Sequence, residues 1–217
     1  MNPKEIIAKL LEFDVCCISD AMDKLGFQCG LYGIKPQIKG KKICGRAFTV
    51  HYVPCGVVKG TVGDFLDDVA EDQIIVIDNG GRDYCTVWGD IMTTKSVINN
   101  IQGTIIDGVC RDMPVVNELE YPIFSKGYYM GTGKDRVEVD AVNVTVSMSG
   151  VQVKPDDYIL GDDSGVVVIP KEMVDKVLEV AEDIDKKEAI ILDEIKNGST
   201  LREARKKVDY HHLQTKK

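Results

Sequence analysis

VWGDIMTTKSVINNIQGTIIDGVCRD, residues 87–112, holds the start of a helix, its stop and a strand in one uninterrupted run. A helix is expected from Trp88–Asp90 to about Ile101, with Gly103 closing it. TIID at 104–107 then reads as a short, fully buried strand. A matching apolar run, QIIVID at 73–78, comes before the helix, and Asn79-Gly80-Gly81 after that run reads as a turn. Strand, helix and strand in this order make a parallel crossover unit, so the chain is read as α/β.

Toward the N-terminus, Ile6, Ile7, Leu10 and Leu11 mark an amphipathic helix over 3–13. Ser19 is expected to cap a short helix through Ala21, Met22 and Leu25, stopped by Gly26. Residues 30–52 read as short β pieces ending in GRAFTVHYV, and Asp64 as the cap of a helix over 65–70. Toward the C-terminus, 122–124 reads as a third strand, 137–153 as a hairpin broken at Ser149-Gly150, and 158–160 and 165–169 as two further strands. Lys171 to Lys196 is a long charged amphipathic helix stopped at Asn197-Gly198, and Thr200 with Glu203 has capping-box spacing. No composition shift marks a linker and no solenoid repeat is present. Residues 1–217 are therefore read as a single domain, with N-terminal helices in 1–26 and C-terminal helices in 171–217.

The net charge of -8 argues against nucleic acid as a partner, since phosphate binding needs a basic face. The basic tail at Arg202, Arg205, Lys206 and Lys207 is read as a solvated helix face. No apolar run reaches eighteen residues, and MNPKEIIAKLLEFD lacks the order of a signal peptide, so no membrane contact and a cytoplasmic location are expected. Seven cysteines without a CxxC pair read as reduced, mostly buried thiols, neither a disulfide framework nor a zinc site. His211 and His212 lie in the tail, and His51 reads as a packed strand residue, which leaves little for a histidine-based nucleophile.

Two segments share a plan: IIVIDNGGRD at 74–83 and TIIDGVCRD at 104–112 each run a strand into a glycine-bearing turn and Arg-Asp. Ligands of α/β proteins gather where strands end and helices begin. Gly89 permits close backbone approach at one such helix start, and the following amides suit a carboxylate. Arg111 offers a planar fork for a carboxylate or an enolate oxygen, and Asp112 a carboxylate for a hard divalent cation. Gly131-Thr132-Gly133-Lys134 fails as a phosphate loop, because Tyr128 and Asp135 stand where glycine and Ser/Thr are needed. Lys95 reads as a surface lysine, and Asp162-Asp163 as a turn before a strand.

Residues 87–112 resemble the central motif of the RraA-like proteins, which runs from a Trp-Gly-Glu-Leu-Leu-type helix start to a strand ending in Asp-Gly-x-x-Arg-Asp. ISDAMDKLG at 18–26, GRAFTV at 45–50 and VQVKPDDYILGDDSGVVVIP at 151–170 are similar to further family segments in the same order. The resemblance implies a swivelling β/β/α layered domain with flanking helices, assembled as homotrimers or homohexamers with sites near subunit contacts. It also implies class II aldolase chemistry: cleavage of 4-hydroxy-4-methyl-2-oxoglutarate or 4-carboxy-4-hydroxy-2-oxoadipate to pyruvate and a second oxo acid, with oxaloacetate decarboxylation. By this resemblance Asp112 holds Mg2+ or Mn2+, Arg111 contacts the 2-oxo oxygen, and the amides of Gly89, Asp90, Ile91 and Met92 take the pyruvyl carboxylate. Two positions depart from the aldolase pattern. Val115 stands where an acidic residue is expected three positions after Asp112, and Asp90 replaces a glutamate. The family also contains a regulator that binds and inhibits a ribonuclease, which makes a non-catalytic binding protein the alternative expectation.

Overall fold

In the computed structural model, which describes residues 1–208, the two apolar runs become neighbouring parallel strands. Helices α1 (Pro3–Leu10) and α2 (Val15–Lys24) come first, then the two-residue β1 (Lys35–Pro36) and the long β2 (Ile43–Pro54). A short 3-10 helix at Asp64–Asp68 leads to β3 (Gln73–Thr86), α3 (Asp90–Ile98), β4 (Thr104–Cys110), α4 (Met113–Glu118) and β5 (Ile123–Tyr128). Next come β6 (Val137–Val142), β7 (Val146–Met148), β8 (Val151–Val153), β9 (Tyr158–Asp162) and β10 (Gly165–Ile169). Helices α5 (Val174–Lys196) and α6 (Leu201–Lys207) follow. No helix among the described residues is long and apolar enough to cross a membrane.

Among the described residues, eight strands form one sheet in the order β1-β5-β4-β3-β2-β9-β10, with β6 also paired to β2. The centre, β2 through β5, is parallel, and β1, β6, β9 and β10 are antiparallel additions. This is the mixed α/β architecture that the sequence implies.

Strand side chains alternate between faces, and here both faces are covered. Ile75, Ile77, Phe48, Val50 and Ile106 point into one apolar cluster with Trp88, Val116 and the 3-10 residues Phe65 and Leu66. Ile74, Val76, Ala47 and Ile105 point the other way, onto the β7–β8 residues Val146, Met148, Val151 and Val153. A sheet thus carries a two-stranded layer on one face and helices on the other, the β/β/α layering expected. A separate cluster joins α1, α2 and α5 to β9 and β10 through Leu10, Ile18, Leu160, Val167 and Ile184.

The small β7–β8 layer is tied down by two buried carboxylates. Asp78 and Asp107 are register partners on β3 and β4, and they accept from the amides of Ser147 (3.1 Å) and Ser149 (2.8 Å). Lys126 pairs with Asp107 at 2.5 Å.

Several local expectations are corrected. Asn79-Gly80-Gly81 does not turn the chain: β3 continues to Thr86 through register shifts on either side of Arg82. Gly80 and Gly81 adopt φ +58° and +70°, so the glycines form a bulge within the strand. Arg82 folds back, donating from Nη1 to the carbonyl of Asn79 at 2.7 Å, so the first Arg-Asp repeat is structural. Helix α2 starts four residues earlier than Ser19, because the Asp14 carboxylate accepts from the Cys17 amide at 2.7 Å and caps it. Asp64 caps no α-helix and instead opens the 3-10 turn, which ends by Asp68. The stretch 137–153 is no single hairpin, since β6 pairs with β2 and only 146–153 forms one. Helix α4 is unforeseen: six residues with Pro114 near the start and one buried side chain, Val116, give no periodic signal.

The cysteines follow expectation. They are free, and five of the seven are buried. Burial pushes the Cys17 and Cys44 thiols up to about 12 and Cys29 up to about 11, so these three are inert at neutral pH. His211 and His212 lie outside the described residues.

Candidate active site

The site forms where β3 runs into α3 and β4 runs into α4. Trp88 is buried and stacks nearly parallel on Tyr121 with ring centres 6.0 Å apart. Its Nε1 donates to Thr93 Oγ1 at 2.9 Å, and that hydroxyl donates to the Gly89 carbonyl at 2.9 Å. One indole therefore fixes the first turn of α3. The Arg111 amide donates to the Trp88 carbonyl at 3.1 Å, which fastens the end of β4 beside that turn.

Asp112 then adopts a left-handed backbone, φ +58° and ψ +41°, and swings the chain into α4. Aspartate is among the few non-glycine residues that tolerate this conformation. The turn aims its carboxylate at the start of α3. Oδ2 accepts from the Asp90 amide at 3.1 Å and lies 3.2 Å from Arg111 Nε. Gly89 is what allows the approach, because a Cβ there would sit 2.7 Å from Asp112 Oδ2 and 3.2 Å from Arg111 Nε.

The helix start therefore already holds carboxylates. Besides Asp112 on the Asp90 amide, the Asp90 side chain accepts from the Ile91 amide at 2.8 Å. Free N–H groups and the helix dipole favour anions at this end. An incoming carboxylate has to displace the Asp90 side chain from Ile91 to use the same donor.

Gly89, Asp90, Ile91, Met92 and Arg111 border one cavity of about 510 Å³. That is ample for a small organic acid. Asp112 stands behind this wall, joined to it through Arg111 and the Asp90 amide. The rest of the lining comes from the 3-10 segment, with Asp64, Leu66 and Asp67, from Val62 just before it, and from Thr132 and Gly133. Tyr52, buried in β2, donates its hydroxyl to the Val62 carbonyl and supports that part of the lining.

The sequence reading missed three parts of the cavity lining. Asp64 passes as a helix cap, and nothing in the sequence singles out Asp67. The 131–134 glycine segment fails as a phosphate loop, yet Thr132 and Gly133 line the cavity because the Thr86 amide donates to the Gly131 carbonyl. Lys95, expected on the surface, borders the cavity with its Nζ 3.0 Å from Asp67 Oδ1. His51 stands in β2 but is half exposed, not packed: its Nδ1 lies 3.0 Å from Asp140 Oδ2 on β6, away from the cavity lining. Asp162 closes its turn as read, accepting from the Ser164 amide at 2.7 Å.

A divalent cation would find one protein carboxylate at Asp112. No group of three His, Cys, Asp or Glu gathers for a metal among the described residues. Val115 lies in the first turn of α4, its amide bonded to the Asp112 carbonyl, and adds no ligand. A half-exposed carboxylate with water completing the shell suits Mg2+, which binds through one or two carboxylates and keeps several waters. The donor set does not suit a metal that needs thiolate or imidazole ligands.

Comparison with known proteins agrees with this architecture. Residues 15–168 match the RraA-like family, described as Aldolase/RraA. Protein DlpA of Legionella pneumophila is 38% identical over 94% of the chain, although the chain spans only 34% of that protein's length. A protein of Halalkalibacterium halodurans, provisionally named 4-hydroxy-4-methyl-2-oxoglutarate aldolase, is 31% identical over 82% of both chains. Among solved structures, an uncharacterized protein from Pseudomonas syringae superposes with TM-score 0.86 at 38% identity, covering 94% of this chain and all of that one. RraAS2 of Streptomyces coelicolor, an unusual member of the RNase ES inhibitor family, superposes with TM-score 0.78 at 24% identity, covering 90% of this chain and 96% of that one, a likeness of fold. The chain belongs to the RraA-like family.

Proposed function

We propose that this RraA-like chain is a cytoplasmic lyase that cleaves a pyruvate-derived 2-oxo acid, with Mg2+ or Mn2+ as its cofactor. One observation carries the reading: Arg111 and the start of α3 face the same cavity, and the amides of that start already hold carboxylates. Family membership and relatives provisionally named as aldolases support it.

In this reading the substrate carboxylate replaces the Asp90 side chain at the α3 amides. Arg111 reaches the 2-oxo oxygen from the adjacent strand end. Retro-aldol cleavage breaks the C3–C4 bond, and its electron pair moves into a pyruvate enolate. The 4-hydroxyl loses its proton to water and becomes the carbonyl of the second oxo acid. Guanidinium charge beside the enolate oxygen favours the transition state over the ground state, because negative charge appears there only as the bond breaks. The cation, held by Asp112, would supply further charge neutralisation at that oxygen. Decarboxylation of oxaloacetate passes through the same enolate and needs no additional residue.

We also propose self-association, as a homotrimer or homohexamer, which would cover large apolar side chains left exposed in the single chain. Ile91 on the cavity rim is 80% exposed, Met130 78% and Tyr128 70%.

The test is pyruvate release, followed through lactate dehydrogenase, from oxaloacetate and from 4-hydroxy-4-methyl-2-oxoglutarate, each with Mg2+ and with EDTA. Metal-dependent pyruvate that disappears in Arg111→Ala and Asp112→Ala supports the proposal. Activity that survives Asp112→Ala with metal stripped rules it out. Silence on both substrates, together with inhibition of a ribonuclease, would establish the binding-protein alternative.

A further inference from the structure

The cavity has a second cation. Lys95 lies on α3 six residues beyond Gly89, and its side chain borders the same space as Arg111. Helical side chains lean toward the helix N-terminus, so Lys95 reaches back along α3 toward the amide end. Six residues of helix separate the two Cα positions by about 9 Å along the axis, and the backward lean shortens that distance at Nζ. A five-carbon diacid holds its two carboxylates about 5–6 Å apart. A ligand with one carboxylate at the α3 start therefore places its other end within reach of Lys95.

Charge gives Lys95 a use for such a ligand. Without it, the lining side chains are Asp64, Asp67 and Asp90 against Arg111, and the end of the ligand remote from Arg111 meets only carboxylates. The partner that Lys95 has now is easily exchanged. Its pair with Asp67 at 3.0 Å joins side chains that are 44% and 76% exposed, and exposed pairs contribute little.

We propose that Lys95 determines specificity by binding the far carboxylate of a dianionic 2-oxo acid, and that Asp67 holds it in position until the substrate arrives. This rests on the oxo-acid reading and assigns the recognition of the substrate's far end to Lys95.

The experiment is calorimetric binding of 2-oxoglutarate and of pyruvate, with Mg2+ present, to the wild-type protein and to Lys95→Met, Lys95→Arg and Asp67→Asn. Lys95 is half exposed, and thermal melting confirms that each variant folds. The expected result is at least a tenfold loss of 2-oxoglutarate affinity in Lys95→Met with pyruvate affinity within about twofold, and recovery in Lys95→Arg. Asp67→Asn keeps or strengthens 2-oxoglutarate binding. Equal 2-oxoglutarate affinity in wild type and Lys95→Met overturns the role of Lys95 and leaves the oxo-acid reading intact. Failure of the wild type to bind either acid overturns both.

Discussion

Replacing Gly89 with alanine separates the geometry of the site from the stability of the fold. Gly89 has φ -155° and ψ -164°, extended backbone that any residue adopts, so the substitution introduces no backbone strain. The new Cβ would lie 2.7 Å from Asp112 Oδ2 and 3.2 Å from Arg111 Nε. A relaxed carbon–oxygen contact needs about 3.3 Å, so the Asp112 carboxylate must retreat by about 0.6 Å. Both crowded groups are side chains with room to move, and the fold loses little beyond the bond from the Asp90 amide, about 1 kcal/mol. Alanine recovers part of that by restricting the unfolded chain. A net change within about 1 kcal/mol lowers Tm by about 2–4 °C for a chain of this size. The effect on catalysis is larger, because a misplacement approaching 1 Å costs on the order of 100-fold. Gly89→Ala is therefore expected to reduce kcat/KM for pyruvate release by about 10- to 100-fold while melting close to the wild type. Activity within about threefold of wild type would refute the view that Arg111 and Asp112 work as an aligned pair. A Tm drop beyond about 8 °C would show instead that Gly89 is needed for folding.

Arg111→Lys keeps the charge and loses the fork, and kcat is expected to fall by about 100-fold with a smaller change in KM, read by steady-state kinetics. Asp90→Ala frees the Ile91 amide, so KM for the oxo acid should drop by about fivefold, and a raised KM would contradict the displacement of Asp90 by substrate. Asp72 is held below the usual carboxylate range, chiefly by its hydrogen bond from Arg46, with burial opposing and the guanidinium charge adding to the effect. A lowered native pKa means stability that is present above about pH 4 and lost as pH falls through that native value. Asp72→Asn should therefore cost about 1 kcal/mol at pH 7 and less at pH 3, measured by urea unfolding at both. Gly133→Ala would press a Cβ into the Thr86 carbonyl, a backbone atom that cannot move aside, and is expected to cost about 2 kcal/mol by the same measurement.

The sequence is most legible where one periodicity acts alone. The buried runs at 74–77 and 104–106, the long helix after Lys171 and the capping box at Thr200–Glu203 all appear where local pattern places them. Reading fails where tertiary contacts decide. Asn79-Gly80-Gly81 has turn composition, but pairing with β4 on both sides of Arg82 carries the strand through it. Asp14 outcompetes Ser19 as a cap because its carboxylate reaches the Cys17 amide, a distinction that composition does not carry. For the site, the motif at 87–112 brings together Gly89 through Met92 and Arg111 on the cavity wall with Asp112 behind it, since strand and helix lengths fix where the ends meet. The rest of the lining, at 62–67 and 132–133, is distant in sequence and is assembled only by the sheet. Lys95 illustrates the limit, because an amphipathic pattern shows that a residue is outside the core and not which opening it borders.

The two buried aspartates beneath the β7–β8 layer couple that small element to the main sheet. A two-stranded ribbon of three-residue strands is marginal by itself, and its amides would exchange with solvent through local fraying. The Ser147 and Ser149 amides instead end on Asp78 and Asp107, in the middle of β3 and β4. Their deuterium uptake should follow the slow opening of the central strands, in one cooperative unit with the amides of Val76 and Ile106.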